Sequence, residues 1–188
     1  MKSICLRGHE VRGLLDGTVS LLVRPVKEGQ LRAGHTIMYG WEQSLSPDEI
    51  METFRSPFGA PGDRLWVRET FAVQPDLWAA GHGPQPVHYL ADTPRAQIED
   101  YVGKPSIHMP RWACRRIIET VSVRVGPVRK ITVADARPAG VDCGGEDDWQ
   151  VMGKHTFAQR WQADYGKRHP WESAFAWFAK VKIVEEPA

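Results

Sequence analysis

The sequence predicts an α+β, mostly β fold: a small, mainly antiparallel barrel with short flanking helices. Three observations lead there. Strand-like segments recur about six times without the repeating βαβ order of a parallel sheet. Helix signatures are short, about three or four in number, and scattered between the strands. The chain has 188 residues, 42% apolar and 25% charged, and a chain of that size buries roughly 70% of its unfolded surface without staples. A single domain over 1–188 is expected, with loop insertions near 28–56, 76–100 and 140–153.

Lys2 to Leu6 reads as a first strand, followed by a helix that places Val11, Leu14 and Leu15 on one side and stops at Gly17. Val19 to Val26 is rich in Val and Leu, as a buried strand is, and Pro25 marks its end or an edge position. Ser46-Pro47-Asp48-Glu49 is a helix start, predicting a short surface helix near 47–54. After the turn Pro61-Gly62-Asp63, the run Arg64 to Phe71 alternates. Leu65 and Val67 fall on one face, with Glu69 in phase with them, and Trp66, Arg68 and Thr70 fall on the other.

Asp76 to Pro86 reads as a Gly/Pro loop, Val87 to Ala91 as a strand, and Arg95 to Val102 as a short helix. Lys104 to Trp112 holds two prolines and is expected as an extended loop feeding a strand from about Ala113 to Val125. Thr132 caps a short helix that Pro138 ends, and 140–153 reads as a loop. Thr156-Phe157-Ala158-Gln159 is a second capping pattern, opening a helix with Phe157, Trp161 and Tyr165 on one face and Gly166 as its stop. Phe175 to Val184 closes the chain as a strand.

Composition removes several classes of function. The net charge of +1 excludes a histone-like or strongly acidic binder. Cys5, Cys114 and Cys143 form no CxxC pair, so neither a disulfide framework nor a zinc ribbon is written here, and a reducing, cytoplasmic setting is expected. No segment reaches the roughly 18 apolar residues of a membrane span. No phosphate-cradling glycine loop and no paired-histidine zinc motif is present, so no cofactor and no metal is expected.

The charge is unevenly placed. Lys104, Arg111, Arg115, Arg116, Arg124, Arg129 and Lys130 face one acid, Glu119, over residues 104–130. Such a stripe fits either a solvated strand face or a phosphate-facing surface. Guanidinium forks bind phosphate and tryptophan offers a stacking face to a splayed base. Arg24, Trp66, Arg68, Arg111 and Trp112 are therefore the candidate nucleic-acid contacts, and Glu69, His108 and Ser20 the candidates for chemistry. The same residues also fit plainer roles: the tryptophans as core, Arg68 and Glu69 in ion pairs, His108 at a turn.

The segments Gly62-Asp63-Arg64-Leu65-Trp66-Val67-Arg68-Glu69-Thr70-Phe71 and Lys104-Pro105-Ser106-Ile107-His108-Met109-Pro110-Arg111-Trp112-Ala113 resemble phage and prophage proteins of the ASCH class, within the PUA-like superfamily. The resemblance extends to Val11–Lys27, Val133–Arg137 and the Trp-rich C-terminal strand. It implies a PUA-like β-barrel and a cleft for RNA or a modified base. ASCH proteins usually carry Gly-x-Lys-x-x-Glu/Thr-x-Arg, and the corresponding run here is Gly17 to Arg24. Gly17 and Arg24 are kept, but Val19 and Leu22 stand at the lysine and Glu/Thr positions. Neither side chain can move a proton or attack a carbonyl, which argues against the amidohydrolase activity of some class members.

Binding of RNA or single-stranded nucleic acid by a phage-type module is thus the expected function. An enzyme acting on RNA or a modified nucleoside, through Glu69 and His108, is the alternative; a phage protein that binds a host protein is the third.

Overall fold

The computed structural model describes residues 1–27, 55–81, 84–141 and 152–184. The helix expected near 47–54, Cys143 and most of the 140–153 loop lie outside them. The chain divides into two compact units, Met1–Gly17 with Arg64–Glu119 and Lys182–Ala188, and Thr18–Asp63 with Thr120–Val181. The architecture is α+β, with mixed sheets and short helices.

In the first unit, β1 (Lys2–Cys5) runs parallel to β3 (Arg64–Arg68), and β3 pairs antiparallel with the start of β7 (Ile117–Pro127). The alternation read from Arg64 onward is realised: Leu65 and Val67 are buried, while Arg64, Trp66 and Arg68 are not. Helix α1 (Gly8–Leu15) turns Val11 and Leu14 inward, and with Leu15 they share a small apolar cleft with Val67 and Ile118. Its first turn is held by Arg7 N–H donating to Glu10 Oε2 at 2.8 Å, and Gly17, at φ +79°, supplies the left-handed residue that ends it.

The predicted strand breaks at Glu69-Thr70, and the chain resumes as β4 (Phe71–Val73) in a separate three-stranded sheet. There β4 lies between β5 (Val87–Tyr89) and β6 (Val102–Lys104), antiparallel to both. Phe71, Val73, Met109 and Ala113 form its core, with Trp78, Val87 and Tyr89 packed against them. Part of the loop expected at 76–86 is instead helix α2 (Pro75–Ala79): Pro75 sits in its first turn, where a missing N–H costs nothing, and Asp76 complements the dipole. The helix expected at 95–102 is a single 3-10 turn, Arg95–Gln97.

In the second unit, β2 (Leu21–Pro25) pairs antiparallel with β8 (Phe175–Val184), which lies between it and β7. Among the described residues β2 occupies the edge position that Pro25 suggested. Leu21, Val23, Val128, Phe157, Trp161, Ala176 and Phe178 lead the core. Helix α3 (Val133–Ala136) carries the expected Thr132–Asp135 capping box. Helix α4 begins at Lys154 rather than at the expected Thr156 cap, and ends at Tyr165. Thr156 lies inside the helix because its hydroxyl donates back to Met152 O at 2.9 Å, four residues earlier. Neither unit's strand order closes on itself among the described residues; β1 and β3 pair in parallel, and the pairings of β2 with β8, β3 with β7 and β4 with its two neighbours are antiparallel. No helix among them is long and apolar enough to cross a membrane.

Thr120 ties β7 to the turn before β3. Its buried hydroxyl donates to Phe58 O at 2.7 Å, and its backbone bonds to Gly62 and Asp63. Thr120→Val keeps the shape but orphans a buried carbonyl, so unfolding in urea should show a loss of about 1–2 kcal/mol. Thr120→Ser should recover most of it, and equal midpoints for all three proteins would contradict the role given to this bond.

Candidate nucleic-acid interface

The first unit gathers most of the residues singled out in the sequence. Because Leu65 and Val67 are committed to the interior, β3 must show Trp66 and Arg68 on its other face. The segment facing them is not the expected extended loop. Pro105 and Pro110 each start a 3-10 turn, Ser106–His108 and Arg111–Ala113, since a proline fixes its own φ without needing a donor. Between the turns Met109 is buried at 1% exposure, which pins the middle of the segment and leaves Ile107, His108, Arg111 and Trp112 exposed.

Two guanidiniums meet on one indole. The Arg68 and Arg111 carbons lie 5.3 Å and 5.4 Å from the centre of the Trp66 ring. Arg68 Nη2 also donates to the Ile107 carbonyl, tying the first turn to β3. Neither arginine has a carboxylate partner among the described residues, and Arg68 Nε is buried without an acceptor there. Cation–π contact explains why each settles on the ring. It does not neutralise either cation, so the site has a standing attraction for an anion.

Glu69 is placed differently from the acid–base role expected of it. It is 1% exposed, and both carboxylate oxygens accept from Arg115, from Nε and from Nη2, each at 2.8 Å. Arg115 Nη1 donates to Asp92 at 2.6 Å, and the guanidinium stacks 4.0 Å over Tyr89. Burial opposes the Arg115 charge, but the bonds to Glu69 and Asp92 outweigh it and hold the guanidinium's pKa above its ordinary value. This is a structural ion pair at the corner between β3 and β4. Burial likewise raises the Tyr89 pKa, against the opposing pull of Arg115, while the phenol donates to Ala113 O at 2.8 Å.

The basic stripe of residues 104–130 is therefore partly engaged by partners within the fold. Arg115 serves Glu69, and Arg124 pairs with Asp135 while lying 4.0 Å over Phe178. Lys104 rests 5.8 Å from the centre of Trp78. Arg115, Tyr89, Asp92 and Met109 organise the exposed group, though none is singled out as a site residue by the sequence. Glu69 N–H donates to Met109 Sδ at 3.2 Å across forty residues, and no local pattern signals such a contact.

Arg24 and Ser20 belong to the second unit. Arg24 is the next to last residue of β2, is partly buried and donates to Val23 O at 2.9 Å. Ser20 is exposed, with its N–H bonded to Pro138 O and its carbonyl to Val181 N, both at 2.8 Å. Val19 and Leu22 are buried at 5% and 1% exposure, where apolar side chains belong and a lysine and an acid do not.

No protein-family model matches the chain, and a search of curated proteins finds no match. Among solved structures it is similar to protein EF3133 from Enterococcus faecalis V583, described under the family model DUF984. The identity is 11% and the TM-score 0.40, over 93% of this chain. The chain spans 66% of that protein's length.

Glu69→Gln should lower stability by about 3 kcal/mol, because it removes the buried carboxylate that matches the half-buried Arg115 guanidinium and leaves only Asp92 as its anion; an unchanged melting temperature would remove the structural role. The raised Tyr89 pKa has a fixed sign. The neutral phenol is the favoured folded form, so its contribution is complete below about pH 10, the ordinary tyrosine value, and is lost as pH rises through the higher folded value. Across an alkaline series the wild type's melting temperature should fall more steeply than that of Tyr89→Phe; parallel curves would contradict the assignment.

Proposed function

We propose that this chain is a nucleic-acid-binding module of the ASCH type, of phage or prophage origin, built on a PUA-like barrel and directed at RNA or a modified base in the host cytoplasm. One observation carries the reading: two guanidiniums without carboxylate partners among the described residues converge on Trp66, and Arg111 shares its turn with the exposed Trp112. Phosphate is the anion such a pair takes, and an exposed indole beside it suits a base. Arg24, which lies in the second unit, is proposed as a nucleic-acid contact in its own right. The motif run from Gly62 to Phe71 supports the family assignment, as does the run from Lys104 to Ala113.

The binding reading is preferred over an enzyme because Glu69, the general acid–base candidate, has both oxygens occupied by Arg115. His108 alone supplies half of an acid–base pair.

Titration of labelled single-stranded RNA at low and moderate salt should show binding that weakens with salt. Arg111→Ala should weaken it by about threefold to tenfold and flatten the log–log salt slope by about 0.7, the loss of one phosphate contact on a single strand. The same samples on a denaturing gel should hold intact strands. Cleavage would favour the enzyme reading, and absence of binding would leave host-protein capture as the function to pursue.

A further inference from the structure

We infer that the site takes a single strand in which one unpaired base stacks on Trp112 with its neighbouring phosphate at Arg111, and that Trp66 holds the arginines rather than a base. The inference rests on the nucleic-acid reading above and assigns the parts of the ligand within it. Trp66 is the more obvious platform, since it stands at the centre of the group. Its ring is already occupied, however, by the guanidiniums of Arg68 and Arg111 at 5.3 Å and 5.4 Å. A base stacking there would displace the cations that attract its own phosphate.

Trp112 has the opposite character. It is 39% exposed, and its ring contacts no aromatic or cationic partner among the described residues. Its backbone is nonetheless fixed. It belongs to the 3-10 turn Arg111–Ala113, whose last residue is 3% exposed and whose last carbonyl accepts from the Tyr89 hydroxyl. A partly exposed indole on a fixed turn offers stacking area at little cost in ordering. Ile107, 62% exposed on the preceding turn, adds a second apolar surface, and Arg68 holds its carbonyl. Arg111 is the neighbour of Trp112 in sequence and projects from the same turn, so cation and platform move as one piece.

The arrangement selects against a duplex. A paired base has both faces buried in its own stack, and reaching Trp112 would require breaking it out, whereas an unpaired base is free to lie on the ring. Phosphate attraction alone would not distinguish the two.

The test uses a single-stranded uridine 10-mer, the same strand annealed to its complement, and three full-length proteins: wild type, Trp112→Ala and Trp112→Phe. Trp112→Ala should weaken single-strand binding about tenfold, the size of one base–aromatic contact, with the salt slope unchanged. Trp112→Phe should keep most of the affinity, and both variants should melt with the wild type because the side chain is exposed. Duplex should bind more weakly than single strand to wild type, and equally to wild type and Trp112→Ala. Unchanged single-strand affinity in Trp112→Ala, with Arg111→Ala still impaired, would overturn the stacking assignment and leave the binding reading intact. Duplex binding as tight as single-strand binding would also overturn it. Failure of the wild type to bind either strand would remove the reading and the inference together.

Discussion

The bidentate pair between Glu69 and Arg115 is the constraint on which the first unit depends. A carboxylate at 1% exposure is tolerable only because a guanidinium matches both of its oxygens. The guanidinium is in turn kept in place by Asp92 on one edge and the Tyr89 ring beneath it. Those contacts fix where the chain may turn between β3 and β4, and so separate two sheets that a continuous strand would have merged. They also anchor the far end of the proline-punctuated segment, since Arg115 follows directly on the turn that carries Arg111 and Trp112. The exposed surface is therefore shaped from below: buried Met109 and paired Arg115 hold the backbone, and the outward side chains are what remains.

This division explains how arginines of one short segment serve opposite purposes. Arg115 is internal and neutralised, whereas Arg111, four residues earlier, rests on an indole. Net charge over the segment says nothing of this difference, because charge counts do not record which cations the fold has consumed. The local field at Trp66 comes from two arginines, one from the strand and one from the segment across from it.

Much of the fold was legible because burial is periodic. Leu65 and Val67 alternate with Trp66 and Arg68, and that alternation alone puts the latter pair on the accessible face. Leu21 to Val23 are buried in succession, as an unbroken apolar run implies. The misreadings share a cause. Val102-Gly103-Lys104 is too short and too poor in β-formers to read as a strand, and it becomes one only by pairing with β4. Thr156 matches a cap by composition, but its hydroxyl found a carbonyl one turn back. The prolines of 104–112 rule out an α-helix yet permit 3-10 turns, which need fewer donors. For the site, residue types were legible and proximity was not: Arg111 reaches Trp66 from forty-five positions away, and Glu69 finds its partner at a separation of forty-six.

The pairing of β2 with β8 imposes an order on synthesis. Leu21 meets Lys180, so β2 is made well before the strand it pairs with. Until then the backbone donors and acceptors along that side of β2 face solvent or a chaperone, beside three consecutive apolar side chains. Closing so long a loop is slow because its entropy must be given up before any contact rewards it. Arg24 and Pro25 stand at the end of this waiting strand, and a charge followed by a residue without an N–H is a poor template for another chain. While β8 is still unmade, the end of β2 is thus a poor place for another chain to add a strand.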